Sequence, residues 1–123
     1  MPSRDDEKYD PVAELVKINP VPSLIMDMST LTIVVINEAA TELLGYSEKD
    51  LLGKSILEFV PADDLAAVQR SLEEPPPEGE TQWRCVIGGK TLYIKLKYRD
   101  TKFQGRPARF VVASQVSLTP FNP

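Results

Sequence analysis

The spacing of apolar residues in the first half of the chain predicts one helix, two strands and a series of short helices. Asp10 suits a helix N-cap, Pro11 suits the first helical position, and apolar residues at helical spacing follow, which predicts a helix over 11–19. Two apolar runs predict strands over 23–28 and 32–36, the second of them β-branched almost throughout. Capping residues and glycines divide the next stretch into short helical segments over 38–44, 47–53, 55–60 and 61–74.

The second half of the chain alternates between apolar and polar residues, and this pattern predicts three strands over 82–87, 91–99 and 108–117. Hairpin turns are expected at Gly88-Gly89, where glycine accepts a positive φ, and at Gln104-Gly105. A proline-rich loop is expected over 75–79, a flexible lead-in over 1–10 and an unstructured tail over 118–123. This order of elements predicts an α+β domain in which helices cover the apolar face of one sheet.

Composition narrows the chemistry that the chain can carry. Its 123 residues include 14 basic and 18 acidic side chains, a net charge of −4, and no histidine. The lack of histidine excludes Ser/His/Asp and Cys/His nucleophile systems, His-ligated haem and the usual zinc sites. The mild acidity argues against nucleic-acid binding, and no apolar run is long enough for a membrane span. The single cysteine, Cys85, cannot form an internal disulfide, which suits a reducing cytoplasm, so we expect a cytoplasmic protein. Because the chain lacks histidine, we also expect no catalytic activity and no metal site.

Three polar residues near the helices are assigned structural roles. Asn37 follows a strand and suits the N-cap of the next helix. Asp63 and Asp64 lie at a helix start, where negative charge is favourable. Because adjacent residues on a helix point apart, the two aspartates are not expected to form a catalytic pair.

Several stretches, in this order and spacing, resemble the PAS family of sensor domains. The most specific is a strand that ends at Asn37, followed by an alanine-containing helix, Gly45-Tyr46-Ser47 and Leu51-Leu52-Gly53-Lys54. The resemblance covers residues 19–117 and implies a single PAS domain over 20–117: a five-stranded antiparallel sheet with short helices packed on one face and a small pocket between them. It also implies a regulatory module of a larger signalling protein, with an output domain such as a histidine kinase or a cyclic-dinucleotide enzyme on the same or a partner chain.

The pocket of such a domain is expected between the helices and the inner face of the sheet. It is either a mostly apolar cavity for a small molecule or a close-packed core, in which case the domain is an interaction or dimerisation scaffold. Tyr46 and Trp83 are candidate hydrogen-bond donors to a ligand. The candidate pocket residues are Leu44, Tyr46, Leu52, Ile56, Phe59, Trp83, Cys85, Ile94, Phe110 and Val112.

No cofactor is identified by the sequence. The flavin-binding subfamily of PAS domains uses a cysteine that lies in a helix, within the run Asn-Cys-Arg-Phe-Leu-Gln. This run is absent here, and Cys85 lies on a predicted strand. We therefore expect Cys85 to be a buried, unreactive thiol, and we expect neither a cysteinyl flavin nor His-ligated haem.

The outer face of the sheet and the N-terminal helix are candidate interfaces. The outer face is expected to carry an apolar patch among solvated side chains: Val86, Tyr93, Val111 and Ala113 among Lys95, Lys97, Arg99 and Arg109. The helix carries an apolar stripe formed by Val12, Leu15 and Val16. Either this helix folds back on its own sheet, or the helix or the patch meets a second subunit in a homodimer, as in many PAS dimers.

The end of the last strand is the predicted output junction. Gln115-Val116-Ser117 stands where many family members have Asp-Ile-Thr or Asp-Val-Thr, a junction that passes signals onward. This chain departs from that pattern because it lacks the aspartate. It also has Gly88-Gly89 where family members often have Asp-Gly.

Overall fold

A computed structural model describes residues 10–74 and 79–121. Residues 1–9 of the expected lead-in, most of the proline-rich loop and the last two residues of the tail lie outside the described residues. The elements are, in order, α1 (Pro11–Ile18), β1 (Ser23–Asp27), β2 (Thr32–Ile36), α2 (Glu38–Leu44), α3 (Glu48–Leu51), 3₁₀ turns at Ile56–Phe59 and Ala62–Asp64, α4 (Leu65–Glu73), β3 (Glu80–Ile87), β4 (Lys90–Phe103) and β5 (Arg106–Ser117). The predicted helix over 61–74 is thus divided into a 3₁₀ turn and α4.

Short polar side chains begin the helices, at Asp10, Asn37 and Ser47 as predicted and at Ser55 in addition. Asp10, Asn37, Ser47 and Ser55 each accept a hydrogen bond from a backbone N–H in the first turn of the helix that follows. Gly45, with φ of 79°, ends α2 in the left-handed conformation. Helices of this length are marginal in isolation, so their packing on the sheet stabilises them.

The five strands form one antiparallel sheet in the order β2-β1-β5-β4-β3, which confirms the predicted sheet. Gly88-Gly89 and Gln104-Gly105 form its two-residue turns, and all four residues have positive φ. The strand predicted over 91–99 is longer in the structure, because pairing between β4 and β5 continues as far as Phe103 and Arg106 beside the turn.

Both faces of the sheet carry a buried core. On the inner face, side chains from β1 and β2 such as Met26, Ile33 and Ile36 pack against residues from α2, α3, the 3₁₀ turns and α4. On the outer face, Val16 of α1 packs in a second cluster with Ile25, Val35 and Ala108. The helix α1 therefore folds back on its own sheet, and the remaining helices cover the opposite face.

The strand β5 has its faces reversed relative to the prediction. Phe110 was expected on the inner face, but it packs against the outer cluster. The pairs Lys95–Gln115 and Leu96–Ala113 leave Ser114 as an extra residue, which is a β-bulge. The prediction assumes strict alternation along β5 and includes no bulge. Because a shift of one residue in register moves every side chain to the other face, the predicted faces before Ser114 are wrong.

Asp27 connects the end of β1 to the β4–β5 hairpin. Its buried carboxylate accepts a hydrogen bond from Arg106 Nε at 2.6 Å and from the backbone N–H groups of Ser29 at 2.8 Å and Thr30 at 3.1 Å. These bonds lower the pKa of Asp27 from 3.8 to about 2, and the bond from Arg106 has the largest effect.

Asp27 should therefore contribute a pH-dependent part of the stability. Its contribution is fully present above the unfolded pKa of 3.8 and is lost as the pH falls through about 2. We expect urea unfolding of Asp27→Asn to show a weaker loss of stability on acidification than the wild type. Asp63→Asn, at an exposed residue, is the control and should retain the wild-type slope. Equal slopes for wild type and Asp27→Asn would contradict this assignment.

Candidate functional site

A cavity lies between the inner face of the sheet and the helices. Its volume is about 110 Å³. An apolar cavity of about 150 Å³ is known to accommodate benzene, so this space suits a small organic molecule. Most of its wall is apolar and comes from both layers, including Leu24, Met26, Leu44, Ile56, Phe59 and Ile94.

Trp83 gives the cavity a polar group that has no acceptor. The side chain lines the cavity from β3, and its Nε1 is buried without a hydrogen-bond partner in the described part of the chain. A buried donor left unpaired costs about 1–3 kcal/mol, so such groups in native proteins call for an explanation.

Arg109 is a second polar group at the cavity, and the sequence placed it incorrectly on the solvated outer face. It lies on the inner face of β5, lines the cavity and is only 5% exposed. Its Nε donates to Asp100 at 2.7 Å, and its guanidinium lies 4.8 Å from the centre of the Tyr98 ring. The reversal of β5 that moves Phe110 outward brings Arg109 inward.

The structure places six of the ten candidate pocket residues on the cavity wall: Leu44, Ile56, Phe59, Trp83, Cys85 and Ile94. Tyr46 and Leu52 are instead exposed, because each lies within two residues of the end of a short helix, where the chain turns away from the core. Phe110 and Val112 lie on the outer face because of the Ser114 bulge. In their place Val111 and Ala113 line the cavity, so neither belongs to the predicted outer patch.

Cys85 lies on the cavity wall and is a free thiol. Burial raises its pKa from 9.0 to about 11, because the charged thiolate loses solvation. We expect its reaction with a disulfide reagent at pH 8 to be slower than in urea-unfolded protein by about 100-fold or more. A native rate equal to the unfolded rate would show that the thiol is accessible. The measurement is the absorbance change with Ellman's reagent.

The predicted interface residues are divided between two environments. On the side of α1 that faces the sheet, Val16 is buried and Val12 is partly buried. On the other side, Leu15 is 64% exposed and Ile18 is 71% exposed. Val86 is exposed on the edge strand β3, and Tyr93 is partly buried. The apolar surface of α1 that remains open is therefore formed by Leu15 and Ile18.

The predicted output junction lies next to the cavity wall. Gln115, Val116 and Ser117 end β5 and pair with Lys95, Ile94 and Tyr93 of β4. Val116 thus lies directly opposite Ile94, which lines the cavity. Beyond the junction, the Phe121 ring lies 4.8 Å from Lys95 Nζ.

Asn37 has more partners than the predicted helix cap. Its Oδ1 accepts from Ala40 N at 2.9 Å and from Ser23 N at 3.0 Å. Its Nδ2 is shared among the carbonyls of Val16, Asn19 and Val21, at 2.8–3.1 Å. One side chain therefore connects the start of α2, the start of β1 and the end of α1.

Asp64 has a partner that the sequence did not indicate. Arg84 donates to its two carboxylate oxygens, from Nε at 2.8 Å and Nη2 at 2.7 Å. This bond lowers the pKa of Asp64. The pair joins the 3₁₀ turn before α4 to β3, so its role is structural.

Neither a metal centre nor a membrane-spanning helix is found among the described residues. Within residues 10–74 and 79–121 there is no group of three or more Cys, Asp or Glu side chains that could hold a metal ion. Over the same ranges, no helix has the length and apolar character needed to cross a bilayer.

The comparisons with known proteins agree with this architecture. The family model for the PAS fold matches residues 12–117, so the chain belongs to the PAS family, as the resemblance predicted. None of the curated proteins matches this chain.

Solved structures of PAS domains share its fold. One is from a Desulfitobacterium hafniense protein, with 19% identity, coverage of 80% of this chain and 95% of that chain, and a TM-score of 0.71. A second is from an HTR-like protein of Haloarcula marismortui, with 22% identity, coverage of 89% and 93%, and a TM-score of 0.65. A third is from a two-component sensor histidine kinase, with 15% identity, coverage of 93% and 98%, and a TM-score of 0.68. At these identities the likeness shows the fold alone.

Proposed function

We propose that this domain is a sensory module that binds a small molecule in its cavity and thereby controls an output domain, such as a histidine kinase. The observation that carries this proposal is the apolar cavity, whose wall includes Trp83 with a buried N–H that has no partner among the described residues. The similar fold of a domain from a two-component sensor histidine kinase supports the choice of output. The free thiol of Cys85 suits the reducing cytoplasm, where we propose that the module works.

Two routes lead from the cavity to the surface. The first is α2, whose Ala40 and Leu44 line the cavity and whose N-cap Asn37 also bonds to the end of α1. The second is the Ile94–Val116 pair, which joins the cavity wall to the output junction. A ligand that binds one arrangement of these elements more tightly than another shifts the population toward it.

Native and denaturing mass spectrometry of freshly purified protein, with an absorption spectrum of the same sample, is the first experiment. We expect extra mass in the native spectrum that disappears on denaturation. If the protein is purified without its ligand, a screen of small organic molecules should raise the melting temperature as the bound state is stabilised. A protein with a bare mass and no response to the screen would contradict the sensor proposal.

A substitution that fills the cavity tests whether a ligand binds there, and the same substitution on the surface is its control. Ala113 lines the cavity, whereas Ala66 lies on the exposed side of α4. We expect Ala113→Leu to abolish the thermal shift caused by any compound found in the screen, and Ala66→Leu to preserve it. Trp83 is the single tryptophan, so its fluorescence reports binding directly. An unchanged response in Ala113→Leu would place binding outside the cavity.

The exposed side of α1 favours a second candidate function, a scaffold that dimerises through this helix. Leu15 and Ile18 present large apolar side chains to solvent within one turn of each other. If they form an isologous interface, the double substitution Leu15→Glu and Ile18→Glu should convert a dimer into a monomer in analytical ultracentrifugation. A wild-type monomer at high micromolar concentration would exclude this homodimer.

A further inference from the structure

The polar groups around the cavity favour anions over cations. Among the described residues that line it there is no aspartate or glutamate, whereas Arg109 contributes a guanidinium and Trp83 an N–H donor. The other polar side chains at the wall are hydroxyls, from Ser23, Ser71, Thr81 and Tyr98, and the thiol of Cys85. A cation placed here would meet no counter-charge and would be repelled by Arg109.

Arg109 differs from the other two arginines that pair with aspartates. Arg84 and Arg106 each direct Nε and a terminal amino group to the same carboxylate. Arg109 directs only Nε to Asp100, a residue whose side chain is 66% exposed. Its terminal amino groups form no ion pair within the described residues, although the side chain is far more buried than those of Arg84 or Arg106.

A buried charge that is only partly paired is costly, and a second anion nearby offsets that cost. The guanidinium is also held in place, because Nε is bonded to Asp100 and the group lies against the Tyr98 ring. A carboxylate has two oxygens in the geometry that an arginine binds best. Beyond Arg109, the wall of the cavity continues through the apolar residues Val111 and Ala113 on the same face of β5.

We propose that the ligand is a small monocarboxylic acid with an apolar body, bound with its carboxylate at Arg109 and its body along the apolar wall. This inference rests on the proposed sensory function and assigns the chemical class of its ligand. The cavity volume of about 110 Å³ is smaller than the roughly 150 Å³ that accommodates benzene, so it limits the body to a short alkyl chain.

The test compares acids with uncharged molecules of the same shape. Propanoate and propanamide form one matched pair, pentanoate and pentanamide another, and propane is a neutral probe that has no polar group. Binding is followed by Trp83 fluorescence and by calorimetry, at pH 7. We expect at least one acid to bind the wild type more tightly than its amide by about tenfold or more.

The variants identify the group that recognises the acid. Arg109→Gln should remove the preference for the acid over its amide, whereas Arg109→Lys should keep part of it. Arg99→Gln, at an exposed residue of the neighbouring strand β4, should bind both probes as the wild type does. Should Arg109→Gln fail to fold by circular dichroism, the comparison of acid with amide in the wild type still decides the class.

The outcomes separate this inference from the proposed function. If propane or an amide binds as well as the acids, the cavity is a ligand site but the ligand is not an acid. If an acid binds and Arg109→Gln leaves its preference intact, Arg109 is not the recognition group. If no probe binds, including propane, the proposed function fails together with this inference.

Discussion

Substitution of Asn37 by alanine is expected to lower the free energy of unfolding by about 3–4 kcal/mol. The substitution leaves the buried N–H groups of Ser23 and Ala40 without their acceptor, and it removes the donor shared by three carbonyls. Each buried group that loses its partner costs about 1–3 kcal/mol, and loss of the helix cap adds to this. Equilibrium unfolding in urea measures the change.

Asn19→Ala is the matched control for Asn37→Ala. Asn19 also bonds through both ends of its amide, to Ser23 Oγ at 3.1 Å and from Val21 N at 3.0 Å, but it is nearer the surface. We expect a loss of about 1 kcal/mol or less for this variant. If both variants lose the same free energy, Asn37 does not connect α1, β1 and α2 in solution.

Asn37→Asp separates the two ends of the amide. The aspartate keeps an acceptor for Ala40 N and Ser23 N, but it places a carboxylate oxygen against the carbonyls of α1 and the segment that follows. We expect α2 to remain intact while hydrogen exchange at the end of α1 accelerates. Equal protection of α1 in both proteins would show that the Nδ2 bonds contribute nothing to its docking.

Truncation of Ile25 is expected to cost about 2–5 kcal/mol, as much as truncation of a residue in the inner core. Ile25 is fully buried, yet it lies on the outer face, where Val16, Val35 and Ala108 surround it. Ile25→Ala therefore opens a void beneath α1. Ile36→Ala, at a fully buried residue of the inner core, should have an effect of similar size. Urea unfolding is again the measurement.

Leu15→Ala is the control on the same surface. Its side chain projects from α1 into solvent, so its truncation should change the stability by no more than about 0.5 kcal/mol. A small effect of Ile25→Ala, comparable with that of Leu15→Ala, would mean that α1 does not pack on the sheet in solution.

Much of the local structure could be predicted from the sequence, because its causes lie within a few residues. The caps at Asp10, Asn37 and Ser47 act on N–H groups two or three residues away, and each occurs where it was expected. The glycine turn at Gly88-Gly89 is equally local. The antiparallel sheet followed from the order of these elements together with the family resemblance.

The orientation of β5 could not be predicted from alternation alone. Apolar residues occupy consecutive positions from Phe110 to Ala113, because α1 covers one face and the cavity layer covers the other. A strand that is buried on both faces does not show a single apolar side. Only the pairing with β4 reveals the bulge at Ser114 and, with it, the inward position of Arg109.

Two ion pairs could not be predicted for a related reason. Arg84 lies 20 residues from Asp64, and Arg106 lies 79 residues from Asp27. Nothing near either residue in the sequence marks its partner. The volume of a cavity is likewise a difference between large packed volumes, and a list of apolar residues does not determine it.

The bulge at Ser114 also affects how this domain should be aligned with others. Because Ser114 is the unpaired extra residue, its deletion would restore a regular ladder and leave Gln115, Val116 and Ser117 on their present faces. The pairing of β3 with β4 has no irregularity. A deletion of one residue in β3 would therefore move every side chain beyond it to the opposite face of the sheet. Sequences that differ in length by one residue at Ser114 can therefore present the same junction to whatever segment is joined to it.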